Sequence, residues 1–168
     1  MILGKHKLQK TYPDYDEEQF QPNGVDLKLK SVERIINNPD MTVGIINGKK
    51  QFPQTETIQP KKGTYTLKKG ETYLINLGTV HIPVGTIGLF HLRSTFMRMG
   101  CIHTSSVGDM GFKGTIINQI TNPITDIQIQ QDERIVQMVL YEAEHDTLYD
   151  GDYQNDKILK KNKKEEED

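Results

Sequence analysis

The sequence predicts a single all-β domain, a sandwich or barrel of short strands. Its 168 residues fall in the usual range for one domain. Seven prolines and fourteen glycines indicate many turns between short elements. From Thr42 to about Tyr141, segments rich in Ile, Val, Thr and Tyr alternate at close intervals with Gly, Pro and Asn. This alternation is typical of strands in a sandwich or barrel.

The strands are predicted from the β-branched segments and the turns from the residues between them. The predicted strands are residues 42–46, 63–67, 71–77, 87–92, 101–105, 115–120, 124–130 and 134–141. Hairpin turns are predicted at Lys68-Lys69-Gly70 and at Asn122-Pro123. One short helix is predicted at residues 94–99, capped by Ser94 or Thr95. The polar, acidic residues 12–20 predict a loop or a short surface helix.

The C-terminal end differs in composition from the domain of residues 1–148. Residues 149–156 form a candidate lid, in which Tyr149, Tyr153 and Gln154 could order on a ligand. Residues 157–168 end in KKNKKEEED, a charge block with too few apolar residues to order itself. A flexible, disordered charged tail is therefore expected there.

Charge and cysteine content exclude several classes of function. A net charge of -2 gives no broad attraction to nucleic acid or to anionic membrane, so a phosphate site must be built from a few placed cations. Cys101 is the only cysteine, which excludes an intrachain disulfide and a CxxC zinc site. No apolar run reaches the roughly 18 residues of a membrane span, so a cytoplasmic location is expected.

Two clusters could carry chemistry. Arg93, Ser94, Thr95 and Arg98 bring hydroxyls, guanidiniums and free backbone N–H groups to a predicted strand-to-helix junction, which suits an anion. A capped helix with surface arginines fits these residues equally well. Residues 106–114 form a glycine-rich turn that presents Asp109, a residue suited to act as a general base. These residues also fit an ordinary turn, in which the aspartate side chain bonds only to local N–H groups.

Four motifs together resemble those of the dUTPase and dCTP deaminase superfamily. They are Gly24-Val-Asp-Leu27, Arg93-Ser-Thr, Gly108-Asp-Met-Gly-Phe-Lys-Gly114 and Glu133-Arg-Ile-Val-Gln137, in the family's order and approximate spacing. The resemblance runs from the opening Met1-Ile-Leu to about Gln154. It implies a distorted jelly-roll β-barrel and a homotrimer whose three active sites lie where subunits meet.

The resemblance also implies a role for each matching residue. Arg93, Ser94, Thr95, Arg98 and Gln137 would bind the triphosphate, and Ser106, Val107, Phe112 and Gln119 would contact the base or the deoxyribose. Asp109 matches the catalytic aspartate that deprotonates water for attack on the α-phosphorus of a magnesium-bound triphosphate. The implied cofactor is Mg²⁺, held mainly by substrate phosphates and by no protein ligand directly.

Gln119 determines which reaction is expected. Deaminases of this superfamily carry a glutamate at this position as a proton shuttle, and an amide cannot take up and release a proton near neutral pH as a carboxylate can. Residues 149–154 resemble the lid of deaminase-type proteins, which contains tyrosine and glutamine. A deaminase-like lid combined with Gln119 makes the chain most similar to archaeal and viral dUTPases of the deaminase branch. The predicted function is dUTP hydrolysis to dUMP and diphosphate. The alternatives are a dCTP deaminase, a bifunctional deaminase and diphosphatase, or a non-catalytic nucleotide-binding regulator.

Three further residues are expected to be structural. His81 and His103 are single histidines in predicted strands, with no partner spaced for a metal. Asp26 is expected to tie a strand end by hydrogen bonds while its carboxylate faces the cleft.

Overall fold

Two five-stranded antiparallel sheets form the body of the protein, with two smaller two-stranded sheets beside them. The computed structural model describes residues 1–144 and 147–158. The strands are β1 (Phe20–Gln21), β2 (Gly24–Lys28), β3 (Ser31–Ile35), β4 (Gly44–Ile46), β5 (Lys49–Gln51), β6 (Thr55–Ile58), β7 (Thr64–Leu67), β8 (Thr72–His81), β9 (Thr86–Leu92), β10 (Ile102–Thr104), β11 (Val107–Gly108), β12 (Lys113–Thr121), β13 (Ile127–Gln130) and β14 (Arg134–Glu142). The helices are α1 (Lys5–Thr11), α2 (Ser94–Arg98) and two 3-10 helices, Glu17–Gln19 and Gln154–Asp156.

The first sheet has the order β1-β2-β14-β9-β11 and the second β10-β12-β8-β3-β6. The pairs β7–β13 and β4–β5 form the small sheets. None of the sheets formed by the described residues closes on itself, so the expected barrel is an open one. The predicted all-β class is confirmed.

Alternation along the strands, regular in β8 and interrupted in β14, places one face of each large sheet in the core. In β8, Tyr73, Ile75 and Leu77 are buried, while the residues between them are partly exposed. In β14, Val136 and Met138 are fully buried and Gln137 between them is not. Side chains from both sheets belong to one apolar cluster, so His91, Gln119 and Gln137 on the opposite faces of β9, β12 and β14 point outward, while Asn118 of β12 is buried.

The two predicted hairpin turns are turns but not hairpins. Gly70 has a φ of +75° and Asn122 accepts hydrogen bonds from the N–H groups of Ile124 and Thr125, as turn residues do. However, β7 pairs with β13, and β8 pairs with β3 and β12. Each turn therefore leads from one sheet to another, which the local sequence does not reveal.

The N-terminal 41 residues contain more structure than the sequence predicts. Helix α1 and strands β1, β2 and β3 all precede Thr42 and were not predicted, whereas the short helix expected after Arg93-Ser-Thr is present as α2. Helix α1 buries Leu8 completely but has no other buried residue, and the 3-10 helix at Glu17–Gln19 is capped by Asp16. The latter fits the predicted short surface helix. Among the described residues, no helix has the length and apolar character needed to span a membrane.

Candidate active site

A polar row crosses the outer face of the first sheet and forms the base of the candidate site. Gln137 of β14 is paired with Asp26 of β2 on one side and with His91 of β9 on the other. Directly opposed residues of antiparallel strands point to the same face, so the three side chains lie in one row. Gly24 makes room for this row, because a Cβ there would come within 2.8 Å of Cγ of Gln137.

Arg93 stands at the end of β9, where the chain turns into helix α2. Its N–H donates to the carbonyl of Ile135 at 3.0 Å, which continues the sheet by one residue. Arg93 is the N-cap of α2 and no side chain caps the helix, so the predicted capping by Ser94 or Thr95 is wrong. The guanidinium Nη1 donates to the carbonyl of Arg134 at 2.8 Å. Carbonyl groups of β14 thus fix both the main chain and the guanidinium of Arg93.

Asp26 is a buried carboxylate beside two arginines. It is 1% exposed, with Nε of Arg93 at 3.1 Å and Nη1 of Arg134 at 3.7 Å from Oδ2. Neither carboxylate oxygen accepts a hydrogen bond from a described residue, so these are charge contacts without hydrogen-bond geometry. Burial raises the pKa of Asp26, the two arginines oppose this, and Glu133 adds to it.

A cleft of about 350 Å³ opens over this row. Its lining residues are Gln21, Asp26, Leu92, Arg93, Ser94, Thr95 and Gln137. The fold therefore brings together four of the five residues predicted to bind triphosphate. The fifth, Arg98, lies on the exposed side of α2 and does not line the cleft, and its side chain makes no hydrogen bond or ion pair with any described residue.

Asp109 lies elsewhere on the same chain. The strand β11 that precedes it pairs with the start of β9, with Gly108 opposite Gly88. Arg93 follows Gly88 by five residues. At about 3.3 Å per residue of strand, the two ends are separated by roughly 17 Å. Asp109 is exposed, and a single chain does not bring its carboxylate to the cleft of Arg93.

The predicted base and sugar contacts lie near Asp109 or on the second sheet. Ser106 and Val107 are exposed just before Asp109, and Phe112 is buried just after it. Tyr149 packs edge-on against Phe112, with ring centroids 5.6 Å apart. Gln119 is half-buried on the outer side of β12, opposite Thr104 and Leu74.

The candidate lid is docked on its own chain. Tyr149 donates its N–H to the carbonyl of Met110 at 2.9 Å, and the side chain of Gln154 contacts the turn after Asp109. The ring of Tyr153 lies under Nζ of Lys50 at 5.1 Å. Of the predicted tail, residues 159–168 lie outside the described residues.

The sequence did not single out three residues of the cleft region: Gln21, Glu133 and Arg134. Glu133 and Arg134 stand within the motif that ends at Gln137, and their contacts to Arg93 and Asp26 could have been inferred from that motif. Gln21 gives no such signal. His81 and His103 have no catalytic contact. His103 Nε2 lies 3.0 Å from the amide of Asn118, and burial lowers the pKa of this histidine, with a further contribution from His91.

Comparisons with known proteins agree with this architecture. The model of a protein family described as dCTP deaminase-like matches residues 2–143. A probable deoxyuridine 5'-triphosphate nucleotidohydrolase of Methanopyrus kandleri is 35% identical, over 91% of this chain and 99% of its own. A protein of the same name from Methanothermobacter thermautotrophicus is 33% identical over 92% of this chain and 99% of its own.

Among solved structures, the 2'-deoxycytidine 5'-triphosphate deaminase of Agrobacterium tumefaciens has a TM-score of 0.64 at 14% identity. The match covers 84% of this chain and 48% of the deaminase, so the chain spans about half of that protein. This likeness concerns the fold. The family description and the archaeal relatives each cover most of the chain, and the protein belongs to the dCTP deaminase-like family.

Proposed function

We propose that the protein is a dUTP diphosphatase, which hydrolyses dUTP to dUMP and diphosphate. The observation that carries the proposal is the cleft where Arg93, Ser94, Thr95 and Gln137 converge. A guanidinium, two hydroxyls and an amide there suit the oxygens of a triphosphate. Relatives that match most of the chain are named deoxyuridine 5'-triphosphate nucleotidohydrolases, which supports uracil as the base.

The exposed carboxylate of Asp109 is suited to the general base of this reaction. It would take a proton from water as the water oxygen forms a bond to the α-phosphorus. The bond from that phosphorus to the bridging oxygen breaks, and its electron pair leaves with diphosphate. Arg93 would stabilise the negative charge that shifts to the phosphate oxygens. Phe112 would pack against the deoxyribose and exclude a 2'-hydroxyl.

The residues of the cleft also fit a substrate-bound Mg²⁺. Asp26 lines the cleft, but both of its carboxylate oxygens are buried and Oδ2 lies against Arg93 and Arg134, so this residue would not hold the metal itself. No three His, Cys, Asp or Glu side chains of the described residues gather to hold a metal. The metal would therefore be held mainly by phosphate oxygens, whose charge it would neutralise.

A homotrimer is part of the proposal, because one chain does not complete the site. Asp109 and Arg93 flank opposite ends of β9, so an Asp109 turn and an Arg93 cleft would have to meet from different subunits. Size-exclusion chromatography with light scattering tests this directly, and a monomer that hydrolyses dUTP would contradict it. The cytoplasmic location remains a prediction, for which cell fractionation is the test.

The second candidate is deamination of dCTP, which the family description favours. Gln119 argues against it, because its amide cannot shuttle a proton. The deciding experiment incubates the protein with each deoxynucleoside triphosphate and Mg²⁺, and follows both base identity and phosphate release. Diphosphate and dUMP from dUTP alone support the proposal. Deoxyuridine nucleotides formed from dCTP would overturn the argument from Gln119, and binding without turnover would identify a nucleotide-binding regulator.

A further inference from the structure

The turn after Asp109 is held by backbone hydrogen bonds on its inner side. Phe112 donates its N–H to the carbonyl of Asp109 at 3.0 Å, which closes the turn. Gly111 donates to the carbonyl of Ile82 at 3.0 Å, and Ile82 donates to the carbonyl of Phe112 at 2.8 Å. These bonds leave the carbonyl of Gly111 and the N–H of Lys113 pointing the other way.

Gln154 bonds to both of these remaining groups. Its Oε1 accepts from the N–H of Lys113 at 2.8 Å, and its Nε2 donates to the carbonyl of Gly111 at 3.0 Å. The amide side chain of Gln154 therefore pairs with one N–H and one C=O of the turn, as the backbone of a neighbouring strand would. Tyr149 adds a further bond, from its N–H to the carbonyl of Met110 at 2.9 Å.

Asp156 extends the contact into β12. Its Oδ1 accepts from the N–H of Thr115 at 2.6 Å, and its Oδ2 from the hydroxyl of the same residue at 3.1 Å. Thr115 stands where the pairing of β12 with β8 becomes irregular, before Ile117. The C-terminal segment thus supplies partners to the backbone at four residues from Met110 to Thr115.

Two glycines of the turn provide the space that this segment needs. A Cβ on Gly114 would lie 2.9 Å from the carbonyl oxygen of Tyr153 and 2.9 Å from Oδ1 of Asp156. Gly111 has a φ of +78° and lies against Leu148, which a Cβ would approach to 3.3 Å. The two glycines therefore leave space for residues 148–156 to pack against the turn, in addition to the hydrogen bonds that join them.

We propose that residues 149–156 position Asp109, and that Gln154 is the principal positioning residue. This rests on the proposed role of Asp109 as general base. A base is effective only when its carboxylate holds the right place, and a shift of about 1 Å can cost about a hundredfold in rate. Both polar atoms of the Gln154 amide are engaged by the turn, so this side chain supports the turn and does not contact phosphate.

The hairpin of β4 and β5 holds the same segment from the other side. Lys50 lies 2.5 Å from the carboxylate of Asp152, and its ammonium stands over the ring of Tyr153. Asp152 raises the pKa of Lys50 through this hydrogen bond, so the charge persists across the neutral range. The segment is thus fixed between this hairpin and the Asp109 turn.

The test compares Gln154→Ala, Gln154→Glu and the control Lys157→Ala in the full chain. Glutamate keeps an acceptor for Lys113 but has no donor for Gly111, whereas alanine loses both bonds. Lys157 belongs to the same end of the chain, and its ammonium contacts the exposed carboxylate of Asp150 at 3.4 Å. Two readouts are taken: kcat and KM for dUTP, and amide hydrogen exchange of the peptide over residues 109–116, which needs no activity.

Positioning predicts that Gln154→Ala lowers kcat about ten- to a hundredfold, with KM within about twofold. Exchange over residues 109–116 should quicken, Gln154→Glu should fall in between, and Lys157→Ala should match wild type. A raised KM with an unchanged kcat would overturn the proposal and make Gln154 a phosphate contact. Unchanged exchange would overturn it too. If wild type does not hydrolyse dUTP, the proposed function fails, and exchange alone then decides whether Gln154 holds the turn.

Discussion

The Nε atom of Arg93 lies 3.1 Å from Oδ2 of Asp26, a carboxylate only 1% exposed. This contact turns one guanidinium edge towards the sheet and leaves the rest of the group at the cleft. The carbonyl of Arg134 holds Nη1 in addition. Arg93 is therefore largely preorganised for an anion, at the expense of a buried charge that is not hydrogen-bonded.

Replacing Arg93 with Ala should lower kcat/KM for dUTP by about ten- to a hundredfold, because a charge-assisted hydrogen bond contributes about 1.5 to 3 kcal/mol. Arg93→Lys keeps the charge but lacks the planar fork, so an intermediate loss is expected. Steady-state kinetics measures both variants, and thermal melting checks that they fold. Saturation by dUTP that is the same in all three proteins would place Arg93 outside the site.

Asp109→Asn should reduce turnover by on the order of a hundredfold or more while dUTP binding is largely kept. The amide preserves the shape of the side chain but cannot accept the proton of the attacking water. Single-turnover kinetics and calorimetric titration with a non-hydrolysable analogue separate the two quantities. Turnover like that of wild type would remove Asp109 from this role.

Asp26 should make the protein less stable as the pH rises above the ordinary pKa of an aspartate. Burial raises the pKa of Asp26 in the folded state, so the folded protein binds this proton more tightly than the unfolded chain does. Its contribution is fully present below about pH 3.9 and is lost as the pH rises through the folded pKa.

The measurement is the free energy of unfolding in urea from about pH 4 to pH 7 for wild type and Asp26→Asn. The difference in unfolding free energy between the two proteins should change over this range in favour of the asparagine variant, because only wild type has a carboxyl at this position that loses its proton. Parallel pH profiles would show that Asp26 does not titrate differently in the folded state.

Gly24→Ala should destabilise the protein by about 1 to 3 kcal/mol, the usual cost of overpacking. Its Cβ would meet Cγ of Gln137 at 2.8 Å and the carbonyl oxygen of Met138 at 2.9 Å. Gly44→Ala is the matched control, since nothing lies within 4 Å of a Cβ there. Urea unfolding compares them, and equal stability would mean that Gln137 moves aside freely.

Ending the chain after Ile158 should leave dUTP hydrolysis unchanged, because the hydrogen bonds from Tyr149, Gln154 and Asp156 to the Asp109 turn and β12 are all kept. Ending it after Glu144 removes Tyr149, Gln154 and Asp156 together, and kcat should fall with the domain still folded. Circular dichroism and kinetics on the two truncated proteins check this. Loss of activity in the longer protein would place a functional group among the last ten residues.

Most strands after Thr42 were predictable because β-branched residues and turn residues mark them locally, but the short strands β5, β6 and β11 were not predicted. Strand β2 was not, since Gly24–Lys28 has two apolar residues and depends on pairing with β14, more than a hundred residues away. Helix α1 has Leu8 as its single buried contact, too little for a periodic pattern. Pairing across the chain also explains why the turns at Gly70 and Asn122 join different sheets.

For the site, the order of the motifs leads to a prediction of which residues carry chemistry, but it does not predict where the fold places them. Arg93, Ser94, Thr95 and Gln137 come together because β9 and β14 are neighbours. The separation of Asp109 from them follows from the pairing of β11 with the start of β9, which no motif contains. Likewise, the docking of Gln154 depends on side-chain bonds to backbone, which leave no periodic trace in the sequence.

The length of β9 has a genetic consequence. Asp109 lies beside the start of this strand and Arg93 follows its end, so a substitution at either residue damages only one half-site. In the proposed trimer, each complete site joins halves from two different subunits. Mixed assemblies of Asp109→Asn and Arg93→Ala chains then contain interfaces at which both halves are intact. Two impaired alleles expressed together would complement each other, as no enzyme with its whole site in one chain can.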